Sequence, residues 1–212
     1  VAQVNEAAHL IGGEAIIEEG LLNEVTNLIE MPTAVMGGFN EEFLSLPRDV
    51  LISVMKKHQR YFPIEKEGKL LAHFIAIRNG DDIHIDIVRD GNQHVLGARF
   101  ADANFFVRED VKLKLEDYRP QLAKLTFHTK LGSMLDKSAR MLKLGAEIGG
   151  LLNFKDMMLI KTLARAVYLS KADLVTQMVT EMTSLQGIIG GEYALRSGEA
   201  PEVAQAIAEQ YQ

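Results

Sequence analysis

Apolar positions repeat with two different periods along this chain. Residues 1–11 read as a short amphipathic helix closed by Gly12-Gly13, and residues 21–30 as a second, with Leu21, Leu22, Val25, Leu28 and Ile29 on one face before Pro32. Residues 33–39, TAVMGGF, read as a strand with a glycine irregularity. Pro47 suits the first turn of a helix that runs to about His58. Residues 61–64 and 70–77 read as strands joined by the polar turn EKEGK. From Ile83 to about Val111 the period is helical, with Leu96, Phe100, Ala103 and Val107 as one stripe and Gly91 as the expected break. Further helices are predicted over 115–125, 134–148, 155–170 and 201–210.

The stretch 168–195, YLSKADLVTQMVTEMTSLQGIIGGEYAL, combines several signals. Ala172, Val175, Met178, Val179 and Met182 recur at helical spacing, while Asp173, Gln177, Thr180, Glu181 and Ser184 share the opposite face of the same wheel. Gly187, Gly190 and Gly191 follow, as expected of a tight turn or a close backbone approach. A polar face of this kind carries chemistry or is merely solvated.

The pattern predicts an α+β module followed by an all-helical one, with the boundary near residues 111–116, where strand-like segments cease. Divided in full, residues 1–20 are a helical remnant of a preceding region, 21–114 the mixed module and 115–212 the helical module. No repeat and no low-complexity segment occurs.

Charge changes sign at the same boundary. The net charge is −6. Residues 1–111 hold 10 Lys and Arg against 18 Asp and Glu, whereas residues 112–171 hold 12 against 5. An acidic protein with one basic zone can steer a polyanion to that zone, and the alternative is a set of solvated helix faces. There is no cysteine, hence no disulfide and no thiolate metal site. No apolar run approaches a membrane span and no basic-then-apolar leader opens the chain, so a cytoplasmic location is expected. The chain opens on Val1 and stops at Gln212 without a helix stop signal, and reads as a piece of something longer.

Catalytic motifs are missing. The six histidines (His9, His58, His73, His84, His94 and His128) form no HExxH pair and no His-Asp dipeptide. GxSxG, GxxxxGK[ST] and GxGxxG do not occur, and GIIGGEY follows a helix rather than a strand. Basic and aromatic residues interleave at Lys56, Lys57, His58, Arg60 and Tyr61, and again at Arg99, Phe100, Phe105, Phe106 and Arg108, where core packing is the plainer account of the rings. A denser group, Lys124, Lys130, Lys137, Arg140 and Lys143, flanks Leu131-Gly132-Ser133, with Lys137 and Arg140 helical neighbours able to follow a phosphate backbone.

Five blocks then occur in one order and spacing: LLNEVTNLIEMP, LPRDVLISVMKKHQRYFPI, GNQHVLGARFADANFFVRED, KLGSMLDKSARM and KADLVTQMVTEMTSLQGIIGGEYAL. Together they resemble the beta subunit of bacterial two-subunit glycyl-tRNA synthetase, from about Leu21 onward. The resemblance implies an internal fragment of that subunit, without its N-terminal portion and its C-terminal anticodon-binding region. It implies a B3/B4-like first module, of the kind also found in phenylalanyl-tRNA synthetase, and an HD-like helical second module.

The resemblance further implies glycine–tRNA ligase activity, in which the separate alpha subunit activates glycine with ATP and Mg while the beta subunit supplies tRNA binding and scaffolding. No cofactor is expected in the fragment. The expected partners are the alpha subunit and tRNA(Gly), with no membrane and no DNA, and Lys124, Lys130, Lys137, Arg140 and Lys143 are the candidate RNA-facing residues. In HD hydrolases a His, a His-Asp pair and a later Asp hold the metal. Here Asp173 falls near the later Asp and His128 near the first His, and the central pair has no counterpart. No catalytic or metal residue is therefore assigned, and the alternatives are an HD-type metal-dependent phosphohydrolase and a purely bridging piece. Two departures stand out: Gly97 where relatives are expected to carry arginine, and Met31 where a tryptophan is expected.

Overall fold

The structure, a computed structural model, describes residues 1–211. The chain divides into two compact units, Val1–Phe105 and Phe106–Gln212.

In the first unit a four-stranded antiparallel sheet has the order β1-β3-β4-β2, with β1 Glu14–Ala15, β2 Pro32–Gly38, β3 Phe62–Lys66 and β4 Lys69–Asn79. Helices α1 (Ala2–Leu10) and α2 (Glu19–Leu28) join Val4, Ala8, Leu21 and Val25 to Phe62, Ile64 and Ile75 of the sheet in one core cluster. Residues 1–20, set apart in the sequence reading as a helical remnant, thus contribute α1 and β1 to this unit. By strand alternation Phe74 lies on the face opposite Ile75, and it stacks on Tyr61 with ring centroids 4.6 Å apart. The expected irregularity in TAVMGGF does not occur, because β2 keeps register with β4 from Pro32 to Gly38. Gly37 instead makes room for the Phe74 ring, since a Cβ there would lie 2.5 Å from it. The register shift falls in β3, between Pro63 and Glu65.

Helix α3 (Arg48–Ser53) continues as one π turn over Val54–His58. Helix α4 (Ile85–Asp110) runs unbroken through Gly91, where a missing Cβ costs roughly 1 kcal/mol of helix propensity but creates no kink. Phe100 of α4 packs edge-on against Phe39, with centroids 4.8 Å apart. Arg89 donates to the Met36 carbonyl and Gln93 accepts from the Gly38 amide, so this helix occupies polar groups along the edge strand β2. Met31, where a tryptophan is expected, is exposed in the turn before β2 and bonds Asn79 through its amide.

The second unit is helical, with one small hairpin that the apolar pattern did not announce. It contains α5 (Leu115–Tyr118), a 3-10 turn at Arg119–Lys124, strands β5 (Thr126–His128) and β6 (Gly132–Ser133), α6 (Met134–Leu151) and α7 (Met157–Leu169). Then come α8 (Gln177–Glu181), α9 (Ile188–Arg196) and α10 (Pro201–Glu209). Among the described residues no helix is long and apolar enough to cross a membrane.

The single helix expected from Ala172 to about Leu185 is absent. A 3-10 turn at Ala172–Val175, α8 and a second 3-10 turn at Thr183–Leu185 replace it, and α9 follows Gly187. Two local causes are visible. Thr176 is extended (φ −75°, ψ 156°) and spends its hydroxyl capping the Val179 amide, and Gly187 takes φ +81°. The supposed polar face therefore dissolves: Gln177, Thr180 and Glu181 are exposed, whereas Asp173 is fully buried.

Candidate nucleic-acid interface

The hairpin and the first half of α6 bring most of the predicted basic group together. Helix α6 starts where it does because Ser133 and Asp136 form a reciprocal cap: Ser133 accepts from the Asp136 amide at 3.2 Å and donates its own amide to Asp136 at 2.7 Å. That cap holds Asp136 well below the usual carboxylate range, chiefly through the Ser133 amide. Lys137 and Arg140, three residues apart, lie on one side of the helix. Lys137 sits 4.1 Å above the Phe127 ring of β5, and Arg140 donates to the Leu131 carbonyl in the hairpin turn at 3.0 Å. Lys130 lies in the same turn, and Lys124 ends the 3-10 turn that leads into β5. Lys124, Lys130, Arg140 and Lys143 are exposed and Lys137 is half-buried.

Ion pairing distinguishes this group from some cations of the chain, although Lys57, Lys69, Arg99 and Arg108, among others, also form no salt bridge among the described residues. Among the described residues none of the five lies within salt-bridge distance of a carboxylate. Arg165, by contrast, is held by Glu199 and Glu116, at 2.5 and 2.8 Å. Arg119 stacks on Tyr168 at 4.1 Å. Lys171 is buried, bonded to Gln210, and set 4.0 Å over the Tyr211 ring; burial lowers its pKa. In the first unit Lys56 pairs with Glu18 and Arg60 with Glu24, while Tyr61 and Phe100 are buried in the core. The first interleaved basic–aromatic cluster is thus largely taken up by packing and pairing, whereas in the second Phe100 is buried and Arg99, Phe105 and Arg108 are exposed.

The two residues suggested by the HD resemblance have different surroundings. His128 is exposed on β5, and its Nδ1 accepts from the Lys130 amide at 3.1 Å. Asp173 is buried: its Oδ2 accepts from the Gly187 amide at 2.6 Å, and its Oδ1 has no hydrogen-bond partner among the described residues. Desolvation pushes the Asp173 carboxyl up to about 6. No group of three metal-capable side chains is assembled among the described residues, so the set required for an HD-type metal does not fit here.

The residue that sequence reasoning missed is Asp110, at the end of α4. It is buried, accepts from the Gln177 and Met178 amides at 2.8 and 2.9 Å, and accepts from the Tyr193 hydroxyl at 3.0 Å. It caps α8 from a distant part of the chain, and no local pattern announces such a partner.

Comparison with known proteins decides the family. The family model described as "Glycyl-tRNA synthetase beta subunit" matches residues 1–212. The chain belongs to that family. Proteins named "Glycine–tRNA ligase beta subunit" are 51% identical over 210 residues in Clostridioides difficile (strain 630), 50% over 210 in Synechocystis sp. (strain ATCC 27184 / PCC 6803 / Kazusa) and 48% over 209 in Persephonella marina (strain DSM 14350 / EX-H1). Each match covers 99% of this chain but only 29–30% of the relative. The chain therefore spans about 30% of the length of these members of the glycyl-tRNA synthetase beta-subunit family.

Proposed function

We propose that this chain is the part of a glycine–tRNA ligase beta subunit that contacts tRNA, through the surface built by the hairpin and α6. The reading rests on family membership and on one observation: a basic zone in an acidic chain whose five cations form no salt bridge among the described residues. Such cations neutralise phosphates without first breaking an ion pair. In this reading Lys124, Lys130, Lys137, Arg140 and Lys143 position the RNA backbone, and the fragment itself performs no chemistry. ATP and Mg serve glycine activation on the alpha subunit, which is the protein partner, tRNA(Gly) is the RNA partner, and the assembly works in the cytoplasm.

Gel shift with tRNA at low salt tests this. The unmodified chain should retard tRNA, and the quintuple reversal of these side chains to Glu should abolish the shift with an unchanged circular-dichroism spectrum. Absence of a shift at low salt, or a shift indifferent to the reversals, refutes the assignment.

A further inference from the structure

The RNA-binding reading leaves one feature of this surface unused: an aromatic ring standing among the cations. Phe127 lies in a strand of three exposed residues and is itself 38% exposed. Lys137 covers one face of the ring, 4.1 Å from its centroid, and the hairpin is tied to α6 by the Arg140 bond to the Leu131 carbonyl and by the Met134 amide bond to the Leu125 carbonyl at 2.8 Å. Beside it, His128 accepts at Nδ1 from the Lys130 amide, so the neutral imidazole carries its proton on Nε2 and has a donor to offer. An aromatic face, a neighbouring imidazole and phosphate-pairing cations on one rigid turn are the elements that hold an unpaired nucleotide: stacking for the base, charge for the backbone. A duplex cannot use the ring in this way, because its bases are already stacked on one another.

We propose that the β5–β6 hairpin is a stacking platform that takes an unpaired nucleobase on the face of Phe127 opposite Lys137, with Lys130 and Lys137 on the adjoining phosphates. This deepens the RNA-binding reading and rests on it. It narrows the RNA partner to a single-stranded or splayed-out element and excludes an uninterrupted helix as the ligand of this turn.

Fluorescence anisotropy on the full chain separates the two levels. The probes are an unstructured RNA of about 12 nucleotides and a blunt RNA duplex of the same sequence. Phe127→Ala should weaken binding of the single strand by about 5- to 150-fold, the range expected for one lost base stack. Phe127→Tyr should restore it to within about twofold, since the π face is kept. The slope of affinity against salt should not change with either variant, and duplex binding should shift by less than about twofold.

If Phe127→Ala leaves single-strand affinity intact, or weakens strand and duplex alike, while reversing Lys130 and Lys137 removes binding, the platform is wrong and the electrostatic reading stands. If neither RNA binds the unmodified chain at low salt, both fall. Phe127 is partly exposed on a short strand, so loss of fold is checked by the circular-dichroism spectrum of the variant.

Discussion

At the residue scale, the most consequential side chain away from the basic surface is Asp173. Its carboxyl is buried and titrates near 6, with desolvation as the main cause, opposed by the Gly187 amide and by Lys171. The unfolded chain loses this proton near pH 4. Between about pH 4 and pH 6 the native state therefore holds more protons than the unfolded one, so stability falls as pH rises through that window, by at most about 3 kcal/mol. Asp136 and Glu116 act in the opposite sense. Both are held low by their hydrogen bonds, and the stability they supply is lost only as pH falls through their native values. Comparing the chain with Asp173→Asn cancels those contributions. Urea unfolding at a series of pH values should show the difference between the two proteins drifting toward the Asn variant across pH 4–6.5. Parallel curves would mean that Asp173 is not the titrating group.

At the element scale, glycines with opposite surroundings make a paired test. Gly97 lies inside α4 and an added Cβ there meets nothing within 4 Å, so Gly97→Ala should stabilise the chain by about 0.5–1 kcal/mol. Gly191 is where α9 meets α10: a Cβ would lie 2.7 Å from the Ala204 carbonyl oxygen and 3.0 Å from the Ala208 methyl. Gly191→Ala should therefore cost about 1–3 kcal/mol, and thermal melts of the two variants should move in opposite directions.

The same contrast explains what the sequence could reveal. Gly187, Gly190 and Gly191 were legible as a turn and close approach because glycine has few other uses, and α1, α4, α6 and α10 were legible from their helical apolar periods. The breaks inside 168–195 were not. They depend on Thr176 turning inward to cap α8, on Asp110 reaching that helix from α4, and on Asp173 bonding Gly187 fourteen residues away. Lys137 and Arg140 were recognisable as helical neighbours, but no local pattern marked Phe127. Only the hairpin, whose chief local mark is Gly132 at φ +82°, brings it to the surface beside them.

At the scale of the whole molecule, the net charge of −6 sets a background that repels nucleic acid, and any RNA affinity must come from a local exception to it. That makes the salt dependence informative. If all five cations neutralise phosphates, the slope of log affinity against log salt should lie between about −3.5 and −4.5, from roughly 0.7 per contact on a single strand to 0.9 on a duplex. Changing Lys124, Lys130, Lys137 or Lys143 singly to Gln should flatten the slope by about 0.7–0.9 each. Lys69, exposed in the acidic half, provides the control: Lys69→Gln removes the same charge from the molecule and should leave the slope unaltered. Equal flattening by Lys69→Gln would show that the RNA responds to total charge, and the hairpin–α6 surface would then have no special place in binding.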